Sequence, residues 1–293
     1  MFNLLVYLLN NINNTLDMKS LILKFIPLIF LVLVSFKPQA QEFQGQAFYF
    51  SKSTMQLGNW GARMSEAQKK QIANRLKGRL EKTFVLTFNK EEAVFKEEVK
   101  ADAISGATDS WGGNFSRGEQ YKNVKEKTLV QKQEFYGKRF LVKDKLQPIE
   151  WKMGSESKQI GQYLSFKATA FIPTSELTWF EFSWSNVASN TSEKSTENKN
   201  TEVKMTAVEA WYTMEIPVGH GPAEYWGLPG LILEVSAGNT TMLCSKIVIN
   251  PKEKIKIEAP EKGKEITKND YQATVQRKMV EMRNNRMGRR RGR

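Results

Sequence analysis

One cysteine, Cys244, and one histidine, His220, stand among 293 residues. That scarcity excludes an intrachain disulfide, a Cys-x-x-Cys redox pair and a Cys/His zinc site. Other signatures are missing too: no phosphate-cradling P-loop, no dinucleotide fingerprint, no G-x-S-x-G elbow, no EF-hand spacing and no internal repeat. No cofactor and no metal is therefore expected, and no catalytic set is evident. Acidic residues are in deficit, 31 against 44 basic ones, for a formal charge of +13. That balance points to anionic partners and says nothing about fold. What is present is an apolar content of 40%, enough for a real core in a chain with room for little more than two domains.

The first forty residues read as an address. Lys19 and Lys24 precede an apolar run from Phe25 to Phe36, and Pro38-Gln39-Ala40 then offers a small residue before polar Gln41-Glu42. Basic, apolar, small is the order of a secretory signal peptide, and the run is shorter than the ~20 residues a spanning helix wants. Counting from Met18 gives a leader of normal length, so Met18 is the expected start and Gln41 the expected mature terminus. The expectation is an exported chain, working in the periplasm, at the outer-membrane periphery or outside the cell. Residues 41–265 then form a β-rich domain, and 266–293 a C-terminal helix and Arg-rich tail.

Period-two patterns run from Gln44 to Phe50 and from Thr83 to Phe88, where Phe84, Leu86 and Phe88 share a face. Between them Ser65-Glu66-Ala67-Gln68 has capping-box spacing, followed by Ile72, Leu76 and Leu80 on one helical face that should pack on the sheet. Further strands are predicted at Ala93 to Val99, Val124 to Phe135, Arg139 to Val142, Ile149 to Met153, Tyr163 to Phe171, Trp179 to Trp184, Met205 to Val218, Leu231 to Ala237 and Thr241 to Asn250. Ser105 to Gly118 and Asn186 to Glu202 bury almost nothing and read as loops. Thr267 and Asp270 open a last helix with a stripe of Tyr271, Val275, Met279 and Met282. The fold class is mainly β: one strongly bent antiparallel sheet, or a partly open barrel, with a packed helix in the N-terminal half and another at the C-terminus.

The densest constellation is residues 211–235. Pro229 and Gly230 suit positions i+1 and i+2 of a type II turn at Leu228 to Leu231, with positive φ at Gly230. Leu231, Leu233 and Val235 then line one strand face. Pro217, Gly219, Gly221 and Pro222 bracket His220 in a constrained loop that would orient Glu224, Tyr225 and Trp226. His220, flanked by glycines, reads as a solvated loop residue or, less in keeping with its surroundings, a general base. Cys244 reads as a small buried apolar residue. Glu91-Glu92 and Glu97-Glu98 are neighbours in sequence, so on a strand they point to opposite faces and make no acid/base dyad.

Gly227-Leu228-Pro229-Gly230-Leu231-Ile232 resembles the hexapeptide of the GLPGLI family, also called Porph_ging. Ala210-Trp211-Tyr212-Thr213, Glu215-Ile216-Pro217, Gly221-Pro222 and Trp226 resemble its other elements. So do Ile149-Glu150-Trp151, Ile160-Gly161, Tyr163 and Lys167-Ala168-Thr169 upstream, which extends the likeness to residues 43–285. Ser165 departs from the pattern, since many relatives place a cysteine there. The resemblance implies a secreted or periplasmic Gram-negative protein, with some relatives encoded beside TonB-dependent outer-membrane receptors, and it carries no established activity.

Two sites follow. Tyr225, Trp226, Gly227, Leu228, Pro229, Gly230, Leu231 and Ile232 are either a structural turn or a binding surface, large aromatics being common interface anchors. Arg286, Arg289, Arg290, Arg291 and Arg293 belong to a tail with eight cations against Glu281 alone after Gln276. That tail is suited to lipopolysaccharide phosphates or an acidic protein surface, and nucleic acid is not expected. The expected function is a non-enzymatic accessory or binding protein of the cell envelope, its partner an outer-membrane receptor or other envelope protein. The alternatives are a hydrolase using His220 and Glu224, or a polyanion binder acting through the tail.

Overall fold

Some strands alternate in and out of the core while others are buried in runs, and the order in which they pair sets the architecture. The structure is a computed structural model and describes residues 43–54, 63–98, 115–179 and 203–291. The leader, residues 105–114 of the first loop, the Asn186 to Glu202 loop, Phe180 to Trp184 and Arg293 lie outside the described residues. In chain order the elements begin β1 Gly45–Ser53, α1 Glu66–Leu80, β2 Glu81–Phe88, β3 Glu92–Glu97, β4 Phe115–Asn123, β5 Thr128–Phe135 and β6 Lys138–Lys145. They continue β7 Lys152–Ile160, β8 Tyr163–Pro173, α2 Thr174–Thr178, β9 Met205–Thr213, β10 Leu231–Ala237, β11 Thr240–Ile249, β12 Lys264–Ile266 and α3 Lys268–Arg291.

The twelve strands form one sheet in the order β12-β6-β5-β4-β3-β2-β1-β11-β10-β9-β8-β7. It is mixed and not closed into a barrel. Neighbours are antiparallel except β12, which pairs parallel with β6, Glu265 opposite Leu141. The sheet therefore brings the chain's start against its late strands: Tyr49 pairs with Phe84 on one side and Cys244 on the other. The main core gathers Tyr49, Leu86, Phe88, Phe95, Leu228, Leu231, Ile232 and Leu233. Phe84 joins it by stacking on Phe95 at 4.9 Å. A second, smaller core sits under α3, where Tyr271, Val275 and Met279 meet Phe135, Phe140, Val142 and Trp179.

Both predicted caps form. Ser65 Oγ accepts from the Gln68 amide at 3.3 Å while Gln68 Oε1 accepts from the Ser65 amide at 2.9 Å. Thr267 Oγ1 accepts from the Asp270 amide at 3.1 Å. The two helices then diverge. Ile72, Leu76 and Leu80 of α1 are only half-buried, whereas the α3 stripe is buried from Tyr271 to Met279 and surfaces at Met282. Among the described residues no helix is long and apolar enough to cross a membrane.

Several strand expectations need correction: β9 ends at Thr213, so Met214 to Val218 leave the expected strand, and Trp179 caps α2 and starts no strand. Residues 115–118, read as loop, belong to β4, whose polar inward face hides its strand character. Ile149 to Trp151 precede β7, which runs instead through Lys152–Ile160, an edge strand so exposed that no alternation marks it. Val124 to Lys127 form a turn, with Thr128 starting β5.

Candidate functional site

The loop from Met214 to Gly230 folds back onto the sheet and closes the main core. Its path is fixed by main-chain bonds: the Gly227 amide donates to Gly219 O at 2.9 Å, the Leu231 amide to Ile216 O at 2.9 Å, and the Ile232 amide to His220 O at 3.0 Å. Tyr49 reaches in from β1 and donates its hydroxyl to Ile232 O at 2.6 Å. Burial pushes that phenol's pKa up well above its ordinary value.

Lys122 of β4 is the feature that sequence reasoning missed. Its side chain is fully buried, and its ammonium donates to Gly221 O at 2.7 Å, Ala223 O at 2.6 Å and Tyr225 O at 3.2 Å. Three carbonyls that face away from any strand partner thereby gain a charged donor, which answers much of the cost of burying both sides. The bonds span about a hundred positions of sequence. The one available signal was the pair of polar residues, Gln120 and Lys122, two apart within a strand-length segment; both point inward.

His220 is fully buried, which corrects the solvated reading. A carbonyl cannot donate, so the contact of Nε2 with Asn89 O at 3.0 Å places the proton on Nε2. Nδ1 is then a bare acceptor with no hydrogen-bond partner. Burial first, and the Lys122 charge second, push the imidazole pKa down to about 3, so the ring is neutral at any physiological pH. Glu224 lies at the margin, accepting from Gln120 Nε2 at 3.1 Å, and lines a cavity of about 30 Å³ with Gln147, Ile149 and Lys268. That volume holds a water and no substrate.

The turn itself differs from expectation. Positive φ falls at Gly227, at 91°, and Gly230 is not among the left-handed residues. Gly230 is needed for space instead: a Cβ there would lie 1.9 Å from Thr213 O. Leu228, Leu231 and Ile232 are core, and Tyr225 and Gly230 are buried with them. What stays accessible is a ledge of half-buried Trp226 with exposed Gly227 and Pro229. Even Trp226 is tied down, donating Nε1 to Gln147 O at 2.9 Å and accepting at its own carbonyl from Trp151 Nε1 at 2.8 Å. Nearby, Lys158 caps the Trp211 ring at 4.2 Å and pairs with Glu234 at 2.7 Å.

Other candidate groups are scattered. Cys244 is half-buried, and burial pushes its thiol up to about 12, away from nucleophile chemistry. Ser165 is buried on β8. The backbone of α3 carries Arg286, Arg289, Arg290 and Arg291, far along the chain from the ledge. Among the described residues no group of three or more His, Cys, Asp or Glu could hold a metal ion.

Fold and site together define a class: an open, wide β-sheet protein whose own loop plugs its core. Residues 151–234 match the family described as "Protein of unknown function (Porph_ging)". The match is narrower than the 43–285 that the sequence elements suggest, and it contains β7 to β9 and the plug. No curated protein matches the chain. Two solved structures of PNGF-II, in C2 and P21 space groups, are similar at 13% identity with TM-scores of 0.44 and 0.43. They cover 80% and 78% of this chain, and this chain spans 32% of their length.

Proposed function

We propose that this chain is an exported, non-enzymatic binding or accessory protein of the cell envelope, which engages an envelope partner such as an outer-membrane receptor through the Trp226 ledge. The observation that supports this reading is the consumption of the site's chemistry within the fold. The imidazole is sealed, the plug's carbonyls are held by Lys122, and the cavity beside Glu224 admits only a water. The loop's one histidine is buried and neutral, whereas an aromatic edge beside a proline is left on the surface. The basic-apolar-small order of the N-terminal residues supports export.

The test is cross-linking of the tagged full chain in its native envelope, with Trp226→Ala as the control. The expected result is one envelope protein joined to the wild type and lost from the variant, with the recovered chain beginning at Gln41. A cytoplasmic chain, or a cross-linking pattern identical in the variant, contradicts the proposal.

A further inference from the structure

The smaller core is left open at one end. Beyond Met279 the α3 stripe leaves the sheet, and a cleft of about 400 Å³ opens between α3 and the β5–β6 hairpin. Its floor is apolar, made by Phe135, Phe140 and the exposed side of Met282. Its rim is cationic: Lys138 from β6, Lys264 from β12 and Arg277 from α3 come from three separate elements to one opening. All three are exposed, and none has an ion-pair partner among the described residues.

Among the described residues no acid lines the cleft, and the carboxylate that feels Arg277 and Lys138 does not balance them. Glu281 is held by Lys278 at 2.7 Å, and its pKa is lowered first by that hydrogen bond and charge, then by Arg277 and Lys138. One carboxylate thus answers one of four cations around the cleft. The positive charge left over, facing an apolar floor, selects for a ligand with both characters. A volume of this size lies within the range of small-molecule sites. A bare polyanion would satisfy the rim and leave the floor wet; a neutral hydrocarbon would do the reverse. Residues 286–293 do not match this opening, because they add five arginines and no acid.

We propose that this cleft binds a single-chain anionic amphiphile, its carboxylate or phosphate head held by Lys138, Lys264 and Arg277 and its hydrocarbon laid on Phe135, Phe140 and Met282. The site lies on the α3 side of the sheet and does not depend on the Trp226 ledge or on the proposed envelope partner.

The test uses the full chain with isotope-labelled methionine methyls, titrated below the critical micelle concentration with decyl phosphate, decanoate, decyltrimethylammonium and inorganic phosphate. Decyl phosphate or decanoate is expected to shift the Met282 methyl resonance, and the tighter of the two identifies the head group. The double charge reversal Lys138→Glu with Arg277→Glu, at two exposed positions that should leave folding intact, is expected to weaken that binding by roughly tenfold or more at low salt. Met282→Ala is expected to weaken the alkyl anions and leave inorganic phosphate unchanged. Equal affinity for the cationic probe, unchanged affinity in the double variant, inorganic phosphate binding as well as decyl phosphate, or no shift at Met282 would each overturn the proposal.

Discussion

The main core around Leu231 and the smaller core under Tyr271 differ in how their last face is covered. The first is shut by a loop whose polar backbone is carried inside with it, and a lysine from the opposite half of the sheet satisfies that backbone. The second is covered by an amphipathic helix whose buried Lys268 pairs with Glu176 at its start and whose Arg277 stands with Lys138 and Lys264 at the open end. Closing a core with a loop uses up the loop's chemistry. Closing it with a helix leaves chemistry over at the helix's end. The conspicuous motif is therefore structural in large part, and the inconspicuous cleft is where charge remains available.

The largest way to break this contrast is Lys122→Met. Three buried carbonyls lose their donor at once, and the expected cost is at least about 4 kcal/mol, read as a lower urea midpoint with unchanged slope. Lys125→Met, which removes a solvent-screened exposed pair with Glu91, should leave the urea midpoint nearly unchanged. Next comes Gly230→Ala, where the added methyl meets the Thr213 carbonyl; about 3 kcal/mol is expected in thermal unfolding. Gly137→Ala in the β5–β6 turn has open space and only its left-handed φ of 73° to resist it, so about 1 kcal/mol is expected there.

These positions also show what was legible beforehand. Alternation marked β1, which has one face in the core, whereas β2 and β10 were legible as apolar runs whose inner ends are buried on both faces. The helix caps were legible because a capping box is a local contact. Lys122 was not, since nothing near it in sequence explains burying a charge; its partners lie 99 to 103 residues away. β7 escaped because an edge strand exposed on both faces has no reason to alternate. The hexapeptide was recognisable, but the reason for Gly230 was not, because the Thr213 carbonyl approaches from another strand. The cleft at α3 was half-legible: the stripe ending at Met282 was visible, but the convergence of Lys138 and Lys264 depends on the parallel β12–β6 pair.

Of middle size is the effect of pH on the plug. His220 takes up a proton near its ordinary value of 6.5 when unfolded and only near about 3 when folded. Its contribution is thus intact above pH 6.5, is lost progressively as pH falls toward 3, and is constant below. Between pH 6.5 and 5 the chain should lose about 2 kcal/mol through this group, with close to one proton taken up on unfolding at the lower end. His220→Gln should flatten that slope while leaving the carboxylate-driven loss at lower pH. The smallest effect belongs to the other core: the buried Tyr271 hydroxyl has no hydrogen-bond partner, so Tyr271→Phe should leave stability within about 1 kcal/mol of wild type or raise it.

Native-state hydrogen exchange at the Leu231 and Ile232 amides tests the plug most directly. Both donate to carbonyls within the loop, at 2.9 and 3.0 Å, so they are released only if the loop lifts out of the core. The account predicts exchange as slow as in β1 and β2, limited by global unfolding, and faster exchange in Lys122→Met by the full loss of stability. Exchange of these two amides at the pace of a surface loop, with β1 and β2 still protected, would contradict it.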